Sequence, residues 1–546
     1  MTVLNVKKKP LYEADDRGFQ LDSCLFKFVK KFFVVFLVSL FLMFMWSSST
    51  IIISSSIAHV CVTSRKLSSH YCLSAGAQSI NYDIPVYNNT STISYIERGT
   101  NVSKAEFSQF TYLDLVDKDK AMERANSRKV VEAQLAILRS YIVKSRPPSD
   151  NCEGRGIYVY DLPPKFNKDL VAKCNEIMPW LDFCKYFAND AMGEPILELG
   201  NSWYNTHQFS LEPIFHKRIL KHPCRVDKAE EAKLFYVPFY GALDMLWSHF
   251  SPVKVPSNES QGAQARFYAL SKDIVEWLKQ QKMWKRHFGL DHVFVLGKNS
   301  WDLRRSEYLH WGTPLLELDE LQNPIKLIIE RHPWHMNDVG VPYPTYLHPR
   351  SDKEIVAWQE KIRQVPRKYL VSFAGAPRKD PTSIRSSLIE QCTSALGVCK
   401  FLNCGEKLCV ESAPVVKLFM ESEFCLQPDG DSPTRKSVFD SLIAGCIPVV
   451  FDPFTAHYQY PWHLPEDHNK YSVFIDQEEV KASKVNVVEK LVNIPLKQRQ
   501  EMRKNIINEL MPRLVYANAN AKLEKFEDAF TIAVNNALQM TISRLT

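Results

Sequence analysis

The sequence has little net charge of either sign outside its first residues. Of the formal net charge of +7 on 546 residues, +3 lies in residues 1–31, which hold seven Lys or Arg and four Asp or Glu, and +4 remains for the rest. Nucleic-acid-binding proteins concentrate basic residues on one surface. The composition therefore argues against a nucleic-acid partner.

Two other absences narrow the class of protein. No internal repeat is visible, which argues against a repeat architecture. Cys399, Cys404 and Cys409 are separated by gaps of four residues and have no pair of histidines at metal-ligand spacing. A zinc site is therefore not expected there.

Charged residues are also missing from one long N-terminal stretch. Residues 32–58 contain none, and their first half is aromatic and aliphatic throughout, so the stretch can span a bilayer. Three lysines precede it in residues 27–31, whereas the next basic residues are Arg65 and Lys66. The positive-inside bias then predicts a cytosolic tail at residues 1–31 and a transmembrane signal-anchor at residues 32–58.

A cleaved signal peptide is the alternative to an anchor. The leading region of about 30 residues is too long for one and carries four acidic residues. The apolar part is short, which suits a thin early-secretory membrane. We therefore expect a single-pass type II protein of the Golgi membrane, with its large domain in the lumen.

The number and spacing of the cysteines agree with a lumenal location of the large domain. Twelve cysteines follow the anchor: Cys61 and Cys72, four from Cys152 to Cys224, and six from Cys392 to Cys446. An even number in each block is typical of local disulfides in an oxidising compartment. For Cys425 and Cys446, which lie in apolar runs, buried free thiols fit equally well.

Residues 59–150 are polar and short of strand patterns, which predicts a stem that holds the catalytic part off the membrane. Within it, Val131, Leu135, Leu138 and Ile142 repeat at helical spacing. This amphipathic helix can pack onto the following domain, or it can form a coiled-coil dimer, which would need more heptads.

Beyond the stem, short apolar strands alternate with amphipathic helices, which predicts parallel α/β sheets. A Pro-rich passage at residues 341–349 is followed by a new helix and a new strand. We therefore predict two domains, residues 151–350 and residues 351–546, with the final helices of the second crossing back to brace the first.

The most informative segment is residues 424–451, FCLQPDGDSPTRKSVFDSLIAGCIPVVF. It predicts a strand, a loop, a helix capped by Ser432 with Pro433 at its first position, and a second strand after Gly445. Such a βαβ unit binds ligands at the carboxyl edge of its sheet, and its helix N-terminus favours a phosphate. Arg435 and Lys436 oppose the helix dipole, a conflict that an anion would resolve.

A carboxylate, Asp440, follows in the same helix. It could accept hydrogen bonds from the two ribose hydroxyls of a nucleotide, as carboxylates do in other nucleotide-binding folds. The alternative is that Arg435 and Asp440 form a surface pair on an ordinary helix.

These residues, with others along the chain, resemble the exostosin-type glycosyltransferases of family 47, and the wider match points to the plant branch that acts on xyloglucan. The matching stretches are GIYVYDLPPKFN at 156–167, WYNTHQFSLEPIFHKRI at 203–219, LFYVPFYGALD at 234–244, NDVGVPYPTYLHP at 337–349, FAGAPR at 373–378, DSPTRKSVFDSLIAGCIPVVF at 431–451 and QYPWHLPEDHNKYSVFI at 459–475. They cover nearly all of the predicted catalytic part, whereas the tail, anchor and stem match only in layout.

The resemblance implies an α/β fold of GT-B type, in which two Rossmann-like domains face a cleft, the acceptor-side domain first and the nucleotide-sugar domain second. It implies an inverting enzyme that works without a bound metal or other cofactor, so Asp429 and Asp431, a D-x-D pattern, are expected to act in the loop and not to bind manganese. Xyloglucan members transfer galactose, and in a sub-branch galacturonic acid, from the UDP-sugar to xylose side chains. The expected partners are therefore the UDP-sugar, xyloglucan and, in a homo- or hetero-oligomer, other Golgi glycosyltransferases.

An inverting transfer needs charge stabilisation for the leaving diphosphate. Arg378, in the loop after the first strand of the second domain, can supply it together with Arg435 and Lys436, unless Arg378 only caps its loop. Gly375 would let the backbone approach the donor closely. The predicted donor-binding residues are Gly375, Arg378, Ser432, Arg435, Lys436 and Asp440.

The reaction also needs a base for the acceptor hydroxyl. Asp161 follows the first strand of the first domain, at the cleft edge, although it can equally be a turn residue before Leu162. Glu212 and Asp338 lie within the matching stretches and are rival candidates. The histidines without metal spacing are expected to be structural or to contact the acceptor: His207, His332 and His335.

Aromatic residues make up 12% of the chain and suit stacking on sugar faces, although Trp more often lies in a core. The candidates for an acceptor platform are Trp203, Trp301, Trp311, Trp334 and Trp462. Two other functions remain open. One is a membrane-anchored glycan-binding protein that kept the fold without catalysis, and the other is transfer of galacturonic acid, which needs a His or Lys near C6 of the sugar.

Overall fold

The computed structural model of the protein describes residues 48–54, 57–63, 70–75, 86–87, 93–94, 118–143, 152, 154–178, 180–250, 260–305, 311–406, 409 and 411–546. The chain divides into two compact units, residues 1–82 and residues 83–546.

The first unit contains a three-stranded antiparallel sheet of β1 (Ser48–Ser54), β2 (Ile57–Thr63) and β3 (His70–Ala75). The last part of the predicted anchor is therefore extended where it is described, because the β-branched run Ile51–Ile53 favours strand backbone. Its residues 32–47 lie outside the described residues. In the described parts of the chain, no helix is long and apolar enough to cross a membrane, and the anchor stays a prediction.

The second unit begins with a short hairpin of β4 (Val86–Tyr87) and β5 (Ile93–Ser94) and continues with helix α1 (Lys118–Ser140). Val131, Leu135 and Leu138 of α1 are buried, and Trp462 Nε1 donates a hydrogen bond to the Leu138 carbonyl at 2.8 Å. The packing interpretation of this helix is confirmed. The apolar face that a coiled coil would use is covered by the same chain.

The second unit contains two parallel sheets, which we call the first sheet and the second sheet. The first sheet is six-stranded, in the order β11-β10-β9-β8-β6-β7. Its strands are β6 (Gly156–Val159), β7 (Arg225–Val226), β8 (Ala232–Val237), β9 (His292–Asn299), β10 (Ile325–Glu330) and β11 (Asp338–Gly340). The strands β8 to β10 are apolar almost throughout and buried, as parallel strands covered on both faces must be.

The second sheet is five-stranded and parallel, in the order β13-β12-β14-β15-β16. Its strands are β12 (Tyr369–Gly375), β13 (Cys399–Asn403), β14 (Ser422–Gln427), β15 (Ile447–Val450) and β16 (Val473–Phe474). The prediction of two parallel α/β sheets is confirmed.

Helices cover both sheets. Those between the strands of the first sheet are α2 (Lys168–Ala172), α3 (Cys174–Ile177), α4 (Cys184–Ala191), α5 (Leu211–Ile219), α6 (Gly241–Phe250), α7 (Ser260–Gln280) and α8 (Lys282–His287). The later helices are α9 (Asp352–Gln364), α10 (Ile384–Ser394), α11 (Ser412–Met420), α12 (Lys436–Ile443), α13 (Gln477–Lys481), α14 (Val487–Val492), α15 (Leu496–Asn505), α16 (Met511–Leu514) and α17 (Ala529–Leu545). A π-helical turn, Ile506–Leu510, joins α15 to α16.

The last helix, α17, packs on the first of the two predicted domains, residues 151–350, which we call the first domain. The rings of Phe530 and Phe215 lie 4.9 Å apart, and Arg218 Nη1 lies 2.8 Å from Asp528 Oδ2 in a buried ion pair. The final helix therefore braces the first domain, as the sequence predicts. One cluster of buried side chains extends across both sheets, so the two domains share a core.

The disulfides are local, as predicted. Among the cysteines from residue 152 onwards, which the structure describes, five pairs are formed: Cys152–Cys224, Cys174–Cys184, Cys392–Cys399, Cys404–Cys409 and Cys425–Cys446. Each pair stays within its predicted block. Cys425 and Cys446 are therefore bonded to each other, and the alternative of two buried free thiols is wrong.

Candidate functional site

The predicted donor motif forms a strand, a loop and a helix, but the helix begins later than expected. We call residues 428–435, between β14 and α12, the donor loop. α12 begins at Lys436, with Arg435 in the N-cap position, so the prediction that Ser432 caps this helix with Pro433 in its first position is wrong. Ser432 does not cap because its hydroxyl donates to Glu330 of the first domain instead.

Three arginines converge on the donor loop. Arg378 Nη2 donates to Asp431 Oδ1 at 2.6 Å, and Arg385 Nε and Nη2 donate to the Asp429 carbonyl at 3.1 and 2.9 Å. Nη1 of Arg435 is buried and has no hydrogen-bond partner among the described residues. Arg378, Arg385 and Arg435 form what we call the arginine cluster.

The charges of the arginine cluster are only partly compensated. Burial and, to a smaller extent, the neighbouring Arg435 and Arg378 lower the pKa of Arg385 to about 9. Burial also lowers the pKa of Arg435. A multivalent anion would offset this repulsion and accept from the unpartnered guanidinium, and guanidinium forks match phosphate geometry.

Arg385 is the member of the cluster that the sequence analysis missed. It is the second residue of α10, whose N-terminus is capped by the Ser383 side chain. A cation in the first turn of a capped helix is the same signal that points to Lys436 in α12. That rule, applied along the whole second domain, would have found Arg385.

Lys436 and Asp440 form a buried ion pair within α12. Lys436 Nζ lies 2.9 Å from each oxygen of Asp440 and 2.9 Å from the ring centroid of Tyr346. Burial raises the pKa of Asp440 to about 6 and lowers that of Lys436 to about 8. Asp440 is therefore not paired with Arg435 on the surface, and its role towards a ribose stays a prediction.

Glu330, at the end of β10, links the first domain to the donor loop. It accepts hydrogen bonds from the hydroxyls of Tyr343 and Ser432 and, at 3.3 Å, from the backbone N–H of Thr434. Burial raises its pKa to about 8, against those three hydrogen bonds. The carboxyl edges of the two sheets therefore meet at Glu330. Sequence analysis missed it, although a carboxylate that ends an apolar strand is the signal that suggested Asp161.

Asp161 lies where the sequence predicts, exposed and just beyond the end of β6 at the carboxyl edge of the first sheet. It is close enough to His216 for its charge to raise the pKa of that imidazole, although burial is the larger effect and lowers it to about 4. Its role as the base stays a prediction.

Glu212 lies in α5 and is fully buried. Its carboxylate accepts from the backbone N–H groups of Ala242 at 2.7 Å, Gly297 at 3.3 Å and Leu243 at 3.4 Å. Two of these are unpaired amides in the first turn of α6, which a carboxylate satisfies and complements electrostatically. This arrangement favours a structural role over proton transfer.

Asp338, in β11, is also fully buried. It accepts from Arg304 Nη2 at 2.9 Å and from the Ser300 hydroxyl at 2.6 Å. Burial works to raise the pKa of Asp338, but Arg304 and Lys326 outweigh it and hold the pKa well below its usual range. A carboxylate that binds protons so weakly and is enclosed by cations is a poor base.

Gly375 ends β12 against an aromatic ring. A Cβ at this position would lie 2.7 Å from Cζ of Phe373, so the close approach that requires glycine here is to that ring. Whether the donor also approaches Gly375 stays a prediction.

The three histidines are buried or half-buried, and burial lowers the pKa of each. The imidazole of His207 has a pKa of about 3 because of burial, Lys436 and Lys298. The rings of His332 and His335 lie 4.8 Å apart. Within the described ranges, no group of three His, Cys, Asp or Glu side chains is arranged to hold a metal ion.

Most of the candidate tryptophans belong to the core. Trp203, Trp301 and Trp462 are buried, whereas Trp311 is half-buried. A different one, Trp180, is 68% exposed and its ring lies 4.6 Å from that of Phe250. Phe250 lies 5.6 Å from Trp311, so these three side chains form what we call the aromatic strip.

The aromatic strip leads towards the donor loop. Lys298 Nζ lies 5.3 Å from the Trp311 ring, and the charge of Lys298 acts on Glu330, which holds Ser432. The aromatic strip on the first domain and the arginine cluster on the second domain thus lie on the two sides of the junction at Glu330.

Two parallel α/β sheets that meet at their carboxyl edges fit a GT-B-like fold. Residues 151–491 match the Exostosin GT47 domain, and the chain belongs to this family of UDP-sugar-dependent glycosyltransferases. The family predicted from the sequence is confirmed.

The chain is similar over most of its length to plant proteins of known or proposed activity. It is 43% identical to xyloglucan-specific galacturonosyltransferase 1 of Arabidopsis thaliana, over 91% of this chain and 87% of that protein. It is 44% identical to probable xyloglucan galactosyltransferase GT20 of the same plant, over 98% of both chains. Xyloglucan galactosyltransferase MUR3 is 41% identical over 73% of this chain and 63% of its own length.

Proposed function

We propose that this protein transfers galactose from UDP-galactose to xylose side chains of xyloglucan, with inversion at the anomeric carbon. The arginine cluster at the carboxyl edge of the second sheet is the observation that supports UDP-galactose as the donor. One guanidinium nitrogen of Arg435 is buried there and has no hydrogen-bond partner among the described residues. The similarity to proteins named as xyloglucan galactosyltransferases supports the acceptor.

The proposed reaction is a single displacement. The acceptor hydroxyl oxygen bonds to the anomeric carbon as the bond from that carbon to the diphosphate oxygen breaks, and the electron pair leaves with UDP. Arg378, Arg385 and Arg435 are placed to stabilise the negative charge that develops on the diphosphate. The hydroxyl proton passes to a base on the first domain, for which we propose Asp161.

No resident metal is part of this proposal. In many sugar transfers a divalent cation stabilises the diphosphate, and the residues of the D-x-D pattern would be its ligands. Here Asp431 accepts from Arg378, and the Asp429 carbonyl accepts from Arg385. Guanidinium groups can therefore supply the positive charge, and activity that persists in a chelator would support this.

The two lysines near the junction favour a neutral donor sugar. Lys298 Nζ lies 3.0 Å from Asp302 Oδ2, and Lys436 is paired with Asp440. A uronate needs a cation that is not already paired with a carboxylate, and both lysines are paired. Galacturonic acid is the second candidate, because one close relative is named for that activity.

We also propose a location. The sequence supports a type II protein of the Golgi membrane, anchored by residues 32–58, and five disulfides suit a lumenal domain. Protease added to intact microsomes should spare the large domain and remove only the N-terminal tail; digestion of the large domain would contradict the topology. Association with other Golgi glycosyltransferases is part of the same proposal.

A direct assay tests the activity. The full-length chain in detergent is incubated with xyloglucan lacking galactose and with UDP-galactose or UDP-galacturonic acid, and the product is identified by mass. We expect a hexose increment with UDP-galactose. A uronic acid increment alone would favour the second candidate, and no UDP release with either donor would overturn the proposal in favour of a glycan-binding protein.

A further inference from the structure

His207 lies in a loop of the first domain that contacts the start of α12. The backbone N–H of Tyr204, in the same loop, donates to the Tyr346 carbonyl at 2.8 Å. Lys436, the first residue of α12, places its Nζ 2.9 Å from the centroid of the Tyr346 ring. Tyr346 therefore connects the loop of His207 to the helix that directly follows the donor loop.

A second contact holds the same loop against the second domain. Ser412, the first residue of α11, donates its hydroxyl to Asn205 Oδ1 at 2.8 Å. On the other side of His207, the ring centroid of Phe209 lies 4.5 Å from Lys298 Nζ, which is also 5.3 Å from a ring of the aromatic strip. His207 therefore lies between the start of α12 and the aromatic strip, at the junction of the two domains.

The position of the proton on the His207 ring is fixed by a backbone contact. Nδ1 accepts a hydrogen bond from the backbone N–H of Phe209 at 3.2 Å. A neutral imidazole whose Nδ1 accepts a hydrogen bond carries its proton on Nε2. Burial, Lys436 and Lys298 lower the pKa of His207 to about 3, so the ring is neutral at neutral pH. Nε2 can therefore donate a hydrogen bond, but it cannot take up a proton as a base would.

The Nε2–H group of His207 has no acceptor in the described part of the chain, where the bond from Phe209 is the only hydrogen bond of the ring. The ring is half-buried, and its orientation is held by three aromatic neighbours. The ring centroids of Phe183, Tyr186 and Phe209 lie 4.5, 4.8 and 5.2 Å from that of His207. A few polar groups held in fixed positions are what orients a ligand in a binding site.

We infer that His207 binds the acceptor, with its Nε2–H donating a hydrogen bond to a hydroxyl group of the xyloglucan side chain that receives the sugar. The inference rests on the proposed function, and it decides between the structural role and the acceptor contact that the sequence leaves open for this residue. A hydroxyl oxygen fits this donor because it accepts a hydrogen bond without adding charge. The acceptor is favoured over the UDP-sugar because His207 belongs to the first domain, whereas the arginine cluster lies on the second.

The test compares substitutions at two histidines. His207→Phe keeps the aromatic packing and removes both nitrogens, whereas His207→Gln keeps a donor near the position of Nε2. His222 is the matched control, because its Nδ1 also accepts from the backbone N–H two residues further on, that of Cys224, at 3.1 Å. His222 precedes β7 and therefore lies at the amino edge of the first sheet, away from the junction.

Each full-length variant is assayed in detergent with xyloglucan lacking galactose, and KM is measured separately for this acceptor and for UDP-galactose. Calorimetry gives the Kd of UDP-galactose without acceptor, and the melting temperature reports the fold. We expect His207→Phe to raise the acceptor KM about threefold to tenfold, as one lost hydrogen bond would, with both donor constants unchanged. His207→Gln should lie closer to the wild type, and His222→Phe should match the wild type.

Equal acceptor KM values for His207→Phe and His222→Phe would overturn the inference. A raised Kd for UDP-galactose with an unchanged acceptor KM would also overturn it, because the contact would then be to the donor sugar. If His207→Phe does not fold, His207→Asn replaces it, since this shorter side chain does not reach the position of Nε2. If the wild type transfers no sugar, the proposed function fails, and the xyloglucan affinity of the same variants still tests the contact.

Discussion

Glu330, the last residue of β10 in the first domain, accepts a hydrogen bond from the hydroxyl of Ser432 in the donor loop of the second domain. The two residues are 102 positions apart in the chain. Thr434, in the same loop, donates its backbone N–H to the other oxygen of Glu330. The donor loop is therefore held against the first domain by one carboxylate.

Replacement of Ser432 by Ala should loosen the donor loop. A buried acceptor that loses a donor costs about 1–3 kcal/mol, so we expect a lower melting temperature and a higher KM for the UDP-sugar. Ser441→Ala is the matched control, since its buried hydroxyl donates only to the Val438 carbonyl within α12. Equal donor KM values for the two variants would contradict a positioning role for Ser432.

Glu330→Gln should change how stability depends on pH. The pKa of Glu330 rises from 4.5 to about 8 on folding, so the folded state binds more protons than the unfolded state between these values. The free energy of unfolding then falls as pH rises through that window. Gln has no proton to lose, so the variant should gain stability relative to wild type from pH 5 to pH 8. Denaturant unfolding at several pH values measures this, and parallel curves would show that the pKa is not raised.

The arginine cluster should be essential for turnover. Arg385→Ala and Arg435→Ala each remove a cation from the proposed diphosphate site, and we expect kcat to fall by about 10²–10³. Arg363, which is exposed and pairs with Glu360, provides the control substitution to Ala. Wild-type turnover in a folded Arg385→Ala variant would remove this residue from the donor site.

Asp440→Asn should lower the stability of the protein more than it weakens donor binding. It leaves Lys436 buried without its counter-charge, which costs about 3–5 kcal/mol. The double substitution Lys436→Met with Asp440→Leu should recover much of that loss, because no buried charge then remains. Thermal unfolding and donor KM separate the two roles: an unchanged melting temperature with a raised KM for the UDP-sugar would support the ribose assignment of Asp440.

The strands of the two parallel sheets can be predicted from the sequence because an apolar run is a local feature of the chain. Residues 293–296 of β9 and the strand Ile447–Val450 are continuous apolar runs. The start of α12 was predicted wrongly because a Ser-Pro cap rule does not take account of Glu330, whose contact with Ser432 exists only in the folded chain. The pairing of Asp440 with Lys436 was not predicted for a related reason.

Whether a charged side chain faces a ligand or a neighbour depends on tertiary packing. Lys436, one turn before Asp440, turns inwards over Tyr346 and takes both oxygens of the carboxylate. Periodicity places the two residues on one helix face but does not say that this face is buried. Trp180 shows the converse, since its side chain is 68% exposed although Trp more often lies in a core.

Trp180→Ala should weaken acceptor binding selectively. An aromatic contact contributes about 0.5–1.5 kcal/mol beyond area burial, so a face that stacks on the sugar rings of xyloglucan would raise the acceptor KM roughly threefold to tenfold when removed. The KM for UDP-galactose should stay the same, because the aromatic strip lies on the first domain and the arginine cluster on the second. The melting temperature should change little, since the side chain is 68% exposed.

Leu396→Ala is the control for Trp180→Ala. Leu396 is an exposed apolar residue, 88% accessible, that follows α10 in the second domain. A general loss of surface hydrophobicity would change both variants alike, whereas an acceptor platform changes only Trp180→Ala. Short xyloglucan oligosaccharides sharpen the comparison, because a chain too short to reach from the donor loop to Trp180 should not sense the substitution. Equal acceptor KM values for wild type and Trp180→Ala with the long polysaccharide would mean that the aromatic strip is not where xyloglucan binds.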